Sequence, residues 1–551
     1  MKLMQSNTVL CDNVVNPFKR FLCLIGFINP RPKSGVNGRD NTNLTVLTVS
    51  KFILLFFLAS LVKLPAQSLF GELNNNSIQP YEVVAKVGDK AITAEEFFYS
   101  YEYGPTFPKR MENSKQIHLK YLINEKLIAL EGYNENILTD DGVGILYKDI
   151  HADLATEEMF KDEILNTIEI DEVEVDSIVK DKQIEVELKW LYSPDIESAK
   201  QFMSALNNNA SFDSLFNMQI NDSVFLDMRS MTSSVYSLKK NNPLLAQIID
   251  TMKAGNYSSP IHVNDEWYIV KLENIWKDMV TNQTEYGKLY FEAKQAALKF
   301  AMDKESGKYV DNLLRNENPT IKKDAFDLLR SYLGKFVLPN EKYNNWNLEG
   351  NLERALSALG LQRGEQYPGI ELVTSDNNSF MVDEFLLWYR NRSLQIKFDE
   401  TNFNTFSASL ESMIWRMVRD KLLTMRAESK GYFEKDWVKT QSSWWRDKVA
   451  YSAMRQKIAN SVLLESAEVN QNGDSKKSVS EQSYKLMEKM LRVIQQAKKK
   501  YDVEINEDVL SKVNVSTVNN PKAVDYYTAK KDGLIPRPPY PTIDNEWVNW
   551  E

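Results

Sequence analysis

Between residues 184 and 276 the chain changes from helical to strand periodicity, and it changes back afterwards. Ile184-Glu-Val-Glu-Leu-Lys-Trp-Leu-Tyr192 alternates apolar and polar residues, the period of two of a half-buried strand. Glu266-Trp-Tyr-Ile-Val-Lys-Leu272 reads as a closing strand, and 198–206 reads as a helix between the two. Outside this stretch the apolar residues recur at helical spacing instead. Leu119, Ile123, Leu127 and Leu130 do so before it, as an amphipathic helix, and Tyr286, Leu289, Tyr290, Ala293, Ala297 and Phe300 after it. A strand-bearing segment set in a helical chain must close its own small sheet. The expected fold class is therefore α+β, mostly helical, with an inserted α/β domain. A chain of 551 residues exceeds one compact domain.

The helical part carries a repeating signal. Tyr81-Glu-Val-Val-Ala-Lys-Val-Gly-Asp-Lys-Ala-Ile-Thr93 reads as two short strands turning at Gly88-Asp89. Thr93 then starts a helix with Glu96 three positions on, a capping box. In the second half, Leu372-Val-Thr-Ser-Asp-Asn-Asn-Ser-Phe-Met-Val-Asp-Glu-Phe385 matches that strand, turn and helix start. MVRDKLLTMRAESKGYF (417–433) echoes LINEKLIALEGYNENI, and the helix 481–500 before VEINEDVLSKV echoes the long helix before PTIKKDAFDLL. A duplicated helical module is expected.

VVAKVGDKAITAEEF and YLINEKLIALEGYNENI resemble the N-terminal module of the periplasmic SurA-type chaperones, over roughly residues 80–170. Ala210-Ser-Phe-Asp-Ser-Leu215, Met252-Lys-Ala-Gly-Asn-Tyr-Ser-Ser-Pro260 and Tyr268-Ile-Val-Lys-Leu272 resemble, in order and spacing, a parvulin-type (PpiC) peptidyl-prolyl isomerase domain. That resemblance implies an apolar proline pocket beside two histidines and a Cys or Asp. Here the two histidine positions read as Lys189 and Tyr268, and the pocket Phe and Met positions as Leu245 and Asn241. The glycine-rich stretch is replaced by LDMRSMTSSVYSLKK. Turning a prolyl bond means crossing a barrier of about 20 kcal/mol, and a solvated ammonium is a poor substitute for imidazole. The expectation is a degenerate cleft with no catalytic residue assigned. His118, His151 and His262 fall on no motif position and read as surface or partly buried residues.

The resulting layout is a leader and signal peptide (1–68), a SurA-like module (69–180) and a parvulin-like domain (181–278). A long helix and connector completing the first module (279–345) and a second module (346–467) follow. A loop, helix and strand closing the second module (468–518) and an extended tail (519–551) end the chain. Lys51 precedes the apolar run 52–62, with Ala66 and Ser68 beyond it, the pattern of a cleaved secretory signal. The expected location is the periplasm, with an inner-membrane anchor at 52–62 as the alternative. Cys11 and Cys23 both precede the expected cleavage point.

A net charge of −9 argues against nucleic-acid binding, and no cofactor or metal motif is present. The expected function is a chaperone for unfolded or nascent envelope polypeptides. Trp190, Phe212, Trp267, Trp388 and Tyr389 are the candidate peptide contacts, and Trp415, Trp437, Trp444 and Trp445 are secondary ones. Two alternatives stay open: an active parvulin-type isomerase, and a scaffold subunit of an outer-membrane assembly or secretion complex. In the second, the Pro- and Trp-containing tail either docks on the partner or straps its own domains.

Overall fold

The computed structural model describes residues 66–517, with short breaks at 75–76, 105–107, 140, 221–223, 264–265, 281, 364–366, 368, 394–395 and 471–478, together with Tyr540 and Pro541. The apolar run 52–62, both cysteines, most of the polar loop 468–482, Trp547 and Trp550 lie outside the described residues. Two compact units result. One is Ile168–Ala301; the other combines the described parts of Leu44–Thr167 and Met302–Glu551.

The split unit begins with α1 (Ala66–Asn74), whose Leu69 and Phe70 join the core. Strands β1 (Val83–Val87) and β2 (Lys90–Thr93) form the expected hairpin, with Gly88 at φ 59° in the turn. Helix α2 (Ala94–Glu102) starts on Thr93, whose side chain accepts from Glu96 N. Only this half of the capping box forms, because the Glu96 carboxylate turns inward to Lys126. Helix α3 (Ser114–Asn134) is not amphipathic: His118, Asn124, Glu125 and Lys126 are buried along with its leucines. It is the central helix of its module, and inside it His118 meets Ser100, Glu125 meets Lys448, and Lys126 meets Glu96 and Asp447. Helix α4 (Asp141–Glu163) follows.

The inserted unit opens with α5 (Glu172–Gln183), β3 (Ile184–Ser193), α6 (Ile196–Asn207) and α7 (Phe212–Gln219). Strand β4 (Ser230–Ser234), α8 (Val235–Asn241), α9 (Pro243–Asp250), β5 (Ile261–Val263) and β6 (Glu266–Lys277) complete an antiparallel sheet in the order β4-β3-β6-β5. The unit is wider than the expected 181–278. Val175 and Val179 of α5 form a small core with Ala293 and Ala297 of α10 (Gln283–Glu317), so both helices' facing segments belong to it.

The chain then re-enters the split unit with β7 (Thr320–Ile321), α11 (Lys323–Val337) and α12 (Leu348–Ala358). The second hairpin, β8 (Glu371–Thr374) and β9 (Ser379–Met381), runs into α13 (Val382–Arg390) and α14 (Phe403–Ser429). Helices α15 (Asp436–Asn470) and α16 (Val479–Lys500), strand β10 (Val503–Ile505) and α17 (Glu507–Lys512) finish the described chain.

The two hairpins share one topology, since their sheets run β10-β1-β2 and β7-β8-β9, all antiparallel. The assignment of the closing segments is the reverse of the expected one. Ala85 pairs with Ile505, and Leu510 and Val513 enter the core of the first module. Thr320 pairs with Thr374, and Leu328 and Leu329 enter the core of the second. The segment 279–345 therefore closes the second module, and the segment after 478 closes the first. Both closers are a short strand followed by a helix, so local pattern alone did not distinguish them.

Candidate functional site

Register decides what the sheet of the inserted unit presents. Side chains alternate faces along a strand, and β3 pairs with β6 so that Tyr192 lies opposite Tyr268, Trp190 opposite Val270 and Leu188 opposite Leu272. Lys189 lies opposite Lys271 and Leu191 opposite Ile269, on the other face. Lys189 and Tyr268 thus do not share a cleft. The Lys189 ammonium is 3.4 Å from a Glu273 carboxylate oxygen and lies over Phe216, on the face covered by α6 and α7. The first-strand residues that face Tyr268 are Tyr192 and Trp190.

The Tyr268 face is covered by α8 and α9, whose Leu238, Leu245, Ala246 and Ile249 pack on Trp190, Tyr268 and Val270. Leu245 accordingly meets Tyr268 in one core. Asn241 ends α8 partly exposed, while the neighbouring Asn242 is buried and caps α9 through Leu245 N at 3.0 Å. This face carries phenols around a carboxylate. Tyr268 OH donates to Glu266 Oε2 at 2.6 Å and Tyr192 OH to Oε1 at 3.1 Å, with the rings 5.7 Å apart. Burial, then the bond to Glu266, pushes the Tyr268 phenol up, so it stays protonated at neutral pH. Gln219 clamps the Tyr192 backbone, accepting from its N at 3.0 Å and donating to its O at 2.8 Å.

Arg229, missed from the sequence, completes the cluster. It is 5% exposed, its guanidinium lies 4.7 Å from the Tyr192 ring centre, and its Nε and Nη1 have no hydrogen-bond partner. Burial lowers its pKa, yet an arginine remains charged. None of the three histidines reaches this face. His262 stacks on Trp267 at 4.6 Å, on the Lys189 side. His118, in the other unit, is fully buried against Ser100 Oγ at 3.0 Å, and burial pushes it down to about 3. This corrects its reading as a surface or partly buried residue. His151 packs edge-on to Phe433.

The proposed peptide contacts fare unevenly. Trp190, Phe212 and Trp388 are core residues, so they are corrected as client contacts. Trp388 Nε1 donates to Asp420 Oδ2 at 3.0 Å inside the second module. Trp267 and Tyr389 are partly exposed, the latter against Phe385 and Phe398.

A different surface stands open. Strand β6 runs five residues beyond the expected Leu272, to Lys277. Its inner edge pairs with β3 as far as Ile184 opposite Lys277. On its outer edge β5 covers the start, and the 255–258 loop covers it only through Leu272, with Gly255 N donating to Leu272 O and Leu272 N to Asn256 O. Past Leu272 no described strand pairs with that edge. The bare segment carries Ile275, 51% exposed, and Trp276, 41% exposed. The only hint in the sequence was the continuation Glu273-Asn-Ile-Trp276 after the strand pattern had been closed.

The sequence matches no protein-family model and no curated relative. Among solved structures, the chain is similar to the foldase PrsA of Streptococcus pneumoniae (13% identity, TM-score 0.20, 40% of this chain and 91% of that one). It is also similar to a SurA-like chaperone of Campylobacter jejuni (19%, TM-score 0.21, 42% and 97%) and to the peptidylprolyl isomerase PrsA of Bacillus cereus (13%, TM-score 0.20, 51% and 99%). Superpositions this loose carry no weight for function.

Proposed function

We propose that the chain is a periplasmic chaperone that holds extended client polypeptides, with an isomerase-like unit that binds without catalysing. The observation that carries this reading is the outer edge of β6 beyond Leu272. It is unpaired among the described residues, flanked by Ile275 and Trp276, and therefore able to accept a client strand by backbone pairing. Unfolded barrel proteins, whose strands alternate apolar and polar residues, suit such an edge. The phenol–carboxylate–guanidinium cluster on the Tyr268 face supports the non-catalytic half of the reading. The apolar run after Lys51 supports the location.

The test is to replace Ile275 and Trp276 together by lysine in the full chain. Both are exposed, so stability should change by no more than about 1 kcal/mol. Suppression of aggregation of an unfolded barrel protein should fall severalfold. Undiminished suppression by a normally melting double variant would remove the edge from the account.

A further inference from the structure

Helices α2 and α15 enclose an aromatic socket in the first module. Tyr99 lies 5.6 Å from Trp437 and 6.0 Å from Trp444, and the two tryptophans stand edge to face at 5.7 Å. Glu96, held by Lys126 at 2.6 Å, contributes a buried carboxylate to it. The tail supplies the occupant. Tyr540 is 4% exposed, its ring is 5.4 Å from Trp444, and its OH donates to Glu96 Oε1 at 3.3 Å. Pro541 is buried beside it. At the far end of α2, Ser516 N, four residues past α17, donates to Glu102 Oε1 at 2.7 Å.

Every wall of the socket is held by another partner. The three rings pack on one another, and Glu96 has its lysine. Tyr540 adds one ring contact and one hydrogen bond to groups that also hold one another. An amphipathic ring with a polar tip, followed by a proline that keeps the preceding residue extended, is a general form of peptide recognition. We propose that this socket binds a tyrosine–proline step in an extended polypeptide, and that Tyr540-Pro541 is its internal occupant, in competition with incoming chains of the same kind. The inference rests on neither the β6 edge nor the Tyr268 face, so it stands or falls separately from the proposed function.

A tethered occupant presents an effective concentration on the order of 1 mM, so for a peptide of about 0.1 mM intrinsic affinity it weakens apparent binding about tenfold. The test uses a fluorescein-labelled peptide with the sequence of 535–546 (IPRPPYPTIDNE), titrated by anisotropy against the full wild-type chain and the full Tyr540→Ala chain. The variant should bind about tenfold more tightly than wild type. The same peptide with alanine for its tyrosine should bind neither. Tyr540→Phe, which keeps the ring and loses the donor to Glu96, should fall between the two. Equal or absent peptide binding by a cooperatively melting Tyr540→Ala chain would overturn the proposal. So would loss of cooperative melting in that variant, since Tyr540 would then be a core residue the module requires.

Discussion

Lys126 places one ammonium between two carboxylates in the buried centre of the first module. It is 2.6 Å from both Glu96 Oε1 and Asp447 Oδ2, and Tyr133 OH donates to Asp447 Oδ1 at 2.5 Å. Burial alone would lower its pKa, but the two carboxylates outweigh burial and hold it up. Asp447 is held below its usual range by the same ammonium despite burial, while burial wins at Glu96 and raises it. Lys126→Met would leave two carboxylates without a counter-charge, at a cost of about 3–5 kcal/mol by chemical denaturation. In that variant both folded-state pKa values would lie above the unfolded ones. The lost stability should then partly return as pH falls towards about 4. A loss below about 1 kcal/mol would show the ammonium to be dispensable. Little of this was legible in the sequence. Glu96 reads as half of a capping box, and only the packing of α3 against α2 gives its carboxylate Lys126 as a partner instead. The opposite faces of Lys189 and Tyr268 were legible in principle, because they follow from alternation once the register is known. A one-residue error in placing a motif on a strand inverts that reading.

At the scale of elements, the hairpins and their helices could be read because turn and cap chemistry is local. Gly88, Thr93 and the alternating flanks suffice for β1, β2 and the start of α2. Which strand closes each hairpin could not be read, since β10 and β7 present similar short patterns and the choice is made by the distant edge each finds. Core substitutions in the two closing helices separate the arrangements. Leu510→Ala should cost about 2–5 kcal/mol and raise hydrogen exchange in β1 and β2, and Leu329→Ala should do so in β8 and β9. Exchange rising in the opposite hairpins would restore closure in sequence order. Strand β6 was read too short for a related reason. Its pattern of buried residues ends at Leu272 while its pairing continues, and the exposed end is what makes it a candidate docking edge.

For the whole molecule, two like-built helical modules carry an inserted sheet unit, and none of the three histidines reaches the Tyr268 face of its sheet. Composition and periodicity gave the mixed class and the insertion. They did not give the site, because it lies partly in an arginine no motif marks and partly in backbone edge that side-chain patterns do not report. The proposed activity is binding without isomerisation. The most direct test is the cis-to-trans rate of a proline tetrapeptide measured with the full chain, beside its suppression of aggregation of an unfolded barrel protein. The expected result is an isomerisation rate indistinguishable from buffer alone together with effective suppression. Turnover approaching that of a histidine-bearing parvulin would contradict it.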